Sequence, residues 1–158
     1  NSPQGVSGVL EYFSLSETDP AEVLDRWMLK GMDCSGLLYA ASGGWTPRNT
    51  SALVDYGRPV EVEGMNTDEI VSAVEPLDLI VWKGQVVIVL DKQTVIESRM
   101  DHDPQTPGQQ GGVRISPIIK RLEEIFQERL PVNDYSGGCA AEDTCFVIRR
   151  WHAGETEQ

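Results

Sequence analysis

Apolar residues recur at three- and four-residue steps in the first part of the chain and crowd into short runs in the middle, a change that predicts helices followed by strands. Residues 1–18 are mixed and turn-rich, with Tyr12 and Phe13 as aromatic anchors. Asp19-Pro20-Ala21-Glu22 reads as an N-cap, a Pro in the first turn and an acid at N3. Val23, Leu24, Trp27 and Met28 then follow at helical spacing, and Gly31 stops the helix. A second helix should begin at Asp33, whose carboxylate suits an N-cap, and bury Leu37, Leu38 and Ala41 before Gly43-Gly44. Shorter helices are expected over Ser51–Tyr56, closed by Gly57, and over Thr67–Val74, closed by Pro76.

From Leu77 the pattern changes. Leu77–Trp82, Gln85–Leu90 and Thr94–Ser98 are rich in Val and Ile, and Lys83-Gly84 and Asp91-Lys92-Gln93 separate them, which predicts a meander of tight hairpins. Residues 100–112 read as an irregular loop. Ser116-Pro117 should open an amphipathic helix through Leu130, with Ile118, Ile119, Leu122, Ile125 and Phe126 facing inward. Cys145–Trp151 reads as a closing strand. Helices first, an antiparallel sheet next and one helix before the last strand make an α+β domain with N-terminal helices packed on the sheet. No internal repeat and no low-complexity tract interrupts it.

Composition narrows the class. A chain of 158 residues suits a single domain over 1–158, whether the whole of a protein or a piece of a longer one. No apolar run approaches the roughly eighteen residues that would span a bilayer. The opening NSPQGVSG has neither a charged nor an apolar leader segment, and a polar start without Met reads like a cut end. A formal charge of −12 argues against nucleic acid, whose phosphates it would repel, and equally against anionic membrane surfaces.

Of three cysteines, Cys139 and Cys145 share the segment CAAEDTC, and Cys34 stands alone. The close pair reads either as a local disulfide or as two reduced structural thiols; a disulfide would place the protein in an oxidising compartment. Cys34 falls in the first turn of its predicted helix, where backbone N–H groups and the helix dipole favour a thiolate. The competing reading is a small packing residue.

The run GMDCSGLLYAASGG also has a family look. D-C-S-G at a helix start resembles the NlpC/P60 cysteine peptidases, which share the papain-like fold. TPRNTSALVDYG resembles that family's Pro-Arg segment and following helix, EPLDLIVWKGQVVIVLDKQTVIES its central hairpin, and VIRRW its closing strand. The resemblance runs over roughly residues 11 to 152. It implies a thiol hydrolase of the cell envelope, or a secreted one, acting without a cofactor on peptidoglycan stem peptides, commonly between D-γ-glutamate and a diamino acid. Cys34 would attack the carbonyl, a base at position 85 would take its proton, and position 97 would orient that base. Asp33 and Ser35 match positions that hold the free amine of a stem peptide, and Tyr12, Arg48, Thr50 and Ser51 match the rest of that pocket.

Three departures follow. The position expected to be His is Gln85, and an amide can hydrogen-bond but has no useful basicity. The orienting position is Glu97, and Leu77 stands where the family usually has Gly. His102, in the segment RMDHDP, reads as a loop histidine that could fold back towards Cys34, and His152 as a surface residue. Asp101-His102-Asp103 lacks the further ligands a metal needs, so no metal site is expected. Two readings remain: a cell-wall peptide hydrolase impaired at position 85, and a pseudoenzyme that grips muropeptides or a protein partner without cutting.

Overall fold

A computed structural model of the chain describes residues 33–99, 112–141 and 143–152. The predicted helix over 19–31, Tyr12 and His102 lie outside them. Helix α1 (Cys34–Ala41) starts where the sequence places it: Asp33 is extended, and its carboxylate accepts from the Gly36 N–H at 2.7 Å. Its buried side is Leu37, Leu38 and Ala41, as its spacing predicts. Helix α2 is one turn, Thr50–Leu53, rather than Ser51–Tyr56, because the Asn49 side chain caps the Ala52 N–H and sets the start one residue earlier. Strand β1 (Arg58–Val60), not anticipated, follows directly. Helix α3 (Thr67–Ala73) opens with a reciprocal box between Asn66 and Glu69.

Strands β2 (Leu79–Trp82), β3 (Gln85–Val89) and β4 (Thr94–Arg99) form the expected meander. Every residue of β2 and Val86–Val89 of β3 are buried, so these strands read as unbroken apolar runs because both faces of the sheet are covered. Each such Val or Ile contributes roughly 1.5–3 kcal/mol of burial. Lys92, in the β3–β4 turn, reaches across to α3 and donates to the carbonyls of Val71, Ser72 and Val74, closing the helix C-terminus.

Beyond position 111 the expectation needs correcting. Gly112–Pro117 is strand β5, paired along β4 from Gly112 opposite Arg99 to Pro117 opposite Thr94. Helix α4 therefore starts at Ile118 and ends at Phe126. Its buried stripe is Ile118, Arg121, Leu122 and Ile125, whereas Ile119 is exposed and does not face inward. Strand β6 (Leu130–Pro131), the short helix α5 (Tyr135–Gly138) and strand β7 (Cys145–Arg150) complete the chain. The seven-stranded sheet runs β1-β7-β2-β3-β4-β5 with antiparallel neighbours, and β6 lies parallel beside β7. Cys139 and Cys145 are joined by a disulfide that ties α5 to β7, their α-carbons 5.7 Å apart.

Leu77, expected as the first residue of a strand, lies before β2 in the left-handed region at φ 72°. The cost to an L-residue is of order 1–2 kcal/mol. Its surroundings hold it there: the side chain is buried, its N–H donates to the Val89 carbonyl at 2.7 Å, and its carbonyl accepts from the Trp151 indole at 2.9 Å. Gly57 (φ 77°) is obligatory for a second reason, since a Cβ there would lie 2.5 Å from the Arg150 carbonyl oxygen. His152 is not a surface residue; its side chain is buried and lies 3.3 Å from Asp78.

Candidate active site

The N-terminus of α1 meets the turn that leads into β3. Cys34 Sγ lies 3.8 Å from the Gly84 carbonyl oxygen, and the Gly84 N–H donates to Thr50 Oγ1 at 2.9 Å. Two helix starts thus clamp the two-residue turn that aims Gln85. The Cys34 thiol is partly buried. Burial pushes its pKa up and the Asp33 carboxylate pushes the same way, outweighing the N–H groups of Val86 and Ser35 that favour a thiolate. The helix start alone predicts a lowered value; desolvation reverses the sign.

Around Cys34, the exposed Asp33 and Arg48 and the buried Ser35 form one polar group. Arg48 Nη1 donates to Asp33 Oδ1 at 2.7 Å and to Ser35 Oγ at 3.1 Å, and Ser35 Oγ donates to the Arg48 carbonyl at 2.7 Å. Arg48 is the main reason the Asp33 carboxyl sits below the usual carboxylate range. Arg48 Nη1, Ser35 Oγ and the Gly36 N–H all converge on Asp33 Oδ1, and among the described residues none reaches Oδ2. Ser51 follows on the exposed side of α2.

Gln85 is held from the other direction. Its Nε2 donates to Glu97 Oε2 at 2.9 Å and to the Ser98 carbonyl at 3.0 Å. Two acceptors at one atom fix the amide orientation, because only nitrogen can donate to both. Oε1 is therefore the end left to face a ligand. Glu97 is 1% exposed and is gripped by Arg121, with Nε to Oε1 at 2.6 Å and Nη2 to Oε2 at 3.1 Å. This fork is the paired geometry that makes a buried carboxylate tolerable. Arg121 also reaches Glu124 at 3.2 Å, and Glu124 meets Arg99 at 3.3 Å.

The Glu97 carboxylate thus has a cation without any histidine at position 85. Arg121 went unread in the sequence, although a signal existed. At the third residue past Ile118 it stands in the apolar stripe of α4, and a buried arginine needs a buried acid.

Behind Gln85 opens a cavity of about 430 Å³, lined by Trp82, Gln85, Arg99, Arg121, Glu124, Ile125, Gln127, Glu128 and Arg129. Trp82 and Gln85 are cross-strand partners, which brings the indole beside the amide. Cys34 is not part of this lining. Among the described residues no three His, Cys, Asp or Glu side chains cluster so as to hold a metal, and no helix is long and apolar enough to cross a membrane. No protein-family model, curated protein or solved structure matches the chain.

Proposed function

We propose that the protein is a cell-wall peptide hydrolase of the NlpC/P60 type, resident in the cell envelope or secreted, whose chemistry is impaired at position 85. The observation that carries this reading is the single constellation of Cys34 at a helix start, the Gln85 turn against its sulfur and Glu97 behind the Gln85 amide. In this reading the stem-peptide amine docks on Asp33 Oδ2 beside Ser35, and Cys34 Sγ attacks the carbonyl carbon. The tetrahedral oxyanion collapses, the amine leaves with a proton, and water then releases the acyl group from sulfur. Gln85 Oε1 can accept from an amide N–H of the substrate but cannot take the thiol proton.

The experiment is to incubate defined tri- and tetrapeptide stems with the protein and with Gln85→His, reading products by mass. The wild type should turn over very slowly or not at all, and Gln85→His should raise the rate by roughly 10²–10⁴-fold, the contribution of a positioned base. Cys34→Ala should abolish turnover in both backgrounds. A wild type as active as Gln85→His would sink the assignment of position 85.

A muropeptide-binding pseudoenzyme is the second reading, favoured by the raised thiol and by Glu97 already being neutralised by Arg121. It expects slow alkylation of Cys34 by iodoacetamide at pH 7, and stem-peptide binding without turnover in Gln85→His.

A further inference from the structure

The cavity behind Gln85 contains a buried hydrogen-bond donor that the fold leaves unused. Arg129 lies with its guanidinium 4.6 Å from the centre of the Trp82 ring, and its Nε is buried without a hydrogen-bond partner. Its Nη1 is taken by Glu128 at 2.8 Å, at the mouth of the cavity. A buried donor without an acceptor costs roughly 1–3 kcal/mol, so folding alone gives no reason to keep it. Nε and Nη2 form the side-on fork of a guanidinium, and the Trp82 ring face against it restrains the side chain by a cation–π contact. The cation deeper in the cavity, Arg121, is committed to Glu97 and Glu124. Glu128 is 73% exposed and can swing into solvent, so an incoming carboxylate competes with it for Arg129 and can displace it.

We infer that this cavity is a binding site for the carboxylate of a peptide, with Arg129 gripping the carboxylate side-on and Gln85 Oε1 accepting from an adjacent amide N–H. A carboxylate is favoured because a planar two-oxygen anion matches a planar guanidinium edge. The other two cations of the lining are already paired, Arg121 with Glu97 and Arg99 with Glu124, so the attraction for an incoming anion falls on Arg129. The inference needs neither Cys34 nor hydrolysis, and it stands or falls apart from the reaction proposed above.

The test uses the full chain and an N-acetylated dipeptide with a free C-terminal carboxylate, beside the same dipeptide as its C-terminal amide. Binding is followed by NMR through the Arg129 Nε–H and the Trp82 indole N–H. The carboxylate form should shift both resonances, and the amide form should bind at least tenfold more weakly. Arg129→Gln should lower affinity for the carboxylate at least tenfold, and Arg129→Lys should not restore it, because an ammonium offers no planar fork. Glu128→Gln, a change at an exposed residue, removes the competing carboxylate and should tighten binding severalfold even if the Arg129 variants fail to fold. Arg58→Gln, on the far strand β1, should change nothing. Equal binding of acid and amide, an unaltered affinity in Glu128→Gln, or stronger binding of inorganic phosphate than of the dipeptide would each overturn the proposal.

Discussion

Two carboxylates are buried in this sheet, each gripped by an arginine, and they lie in different surroundings. Asp78 sits just before β2 and is wholly buried; Arg150 forks onto it at 2.8 and 2.6 Å, His152 lies at 3.3 Å, and the Glu75 N–H donates at 2.8 Å. Glu97 sits in β4 and is forked by Arg121 on both oxygens, with the Gln85 amide sharing Oε2. The Asp78 cluster is built from the chain's last strand, a turn and the end of α3, since Arg150 also caps the Ala73 carbonyl at 3.1 Å. Through Gln85 and Arg121, the Glu97 cluster borders a cavity. The same chemistry serves as a closed structural tie in one place and as the floor of a recess in the other.

This contrast can be broken by mutation. Asp78→Ala leaves Arg150 in the interior with the half-exposed Glu75 and the Ala73 carbonyl, and should cost about 3–5 kcal/mol, the range for breaking a buried pair. The readout is the urea midpoint at unchanged m-value. Glu97→Gln keeps the volume and leaves Arg121 with Glu124, so it should cost less, roughly 1–3 kcal/mol by the same readout. A Glu97→Gln loss exceeding that of Asp78→Ala would show the recess to be the main tie.

Acid sharpens the comparison further. Burial alone would raise the Asp78 carboxyl, but Arg150, His152 and the Glu75 N–H together outweigh it and hold the pKa below the ordinary value. A depressed folded value means the stabilisation is fully present above the unfolded pKa of about 3.9 and is lost as pH falls through the folded one. The stability gap between wild type and Asp78→Ala should therefore be full at pH 7 and narrow once pH drops below about 4. A gap unchanged at pH 3 would contradict the pairing. The smallest effect belongs to the exposed pair Arg48–Asp33, each partner more than half exposed, where Arg48→Ala should cost under about 1 kcal/mol in folding. In the hydrolase reading the same change frees Asp33 and strengthens binding of an amine-bearing stem peptide.

Much of this was legible from local patterns. Asp33 as a cap, the β2–β3 turn at Lys83-Gly84 and the inward Ile118, Leu122 and Ile125 of α4 are all written within a few residues of where they act. β5 was not legible, because GVRIS has little burial to pattern its faces and owes its pairing to β4, a partner outside the local window. The site divides along the same line. Cys34 stands out by its place at a predicted helix start and Gln85 by the resemblance of its hairpin to the NlpC/P60 pattern, whereas Arg121 acts across 24 positions and reveals itself only through Glu97. His152 was misread for the same reason, since its partner Asp78 is 74 positions away.

Lys92 has a consequence for how the molecule opens. Helix α3 spans seven residues, too few to persist alone in water, and its last turn is held by an amine belonging to the β3–β4 hairpin. Simple fraying from the C-terminal end should therefore not expose its amides, because the retaining group sits on a hairpin whose strands are largely buried. Protection at Val74, whose N–H bonds to the Ile70 carbonyl, should thereby be borrowed from the sheet, and hydrogen exchange is expected to show helix and hairpin opening as one cooperative unit.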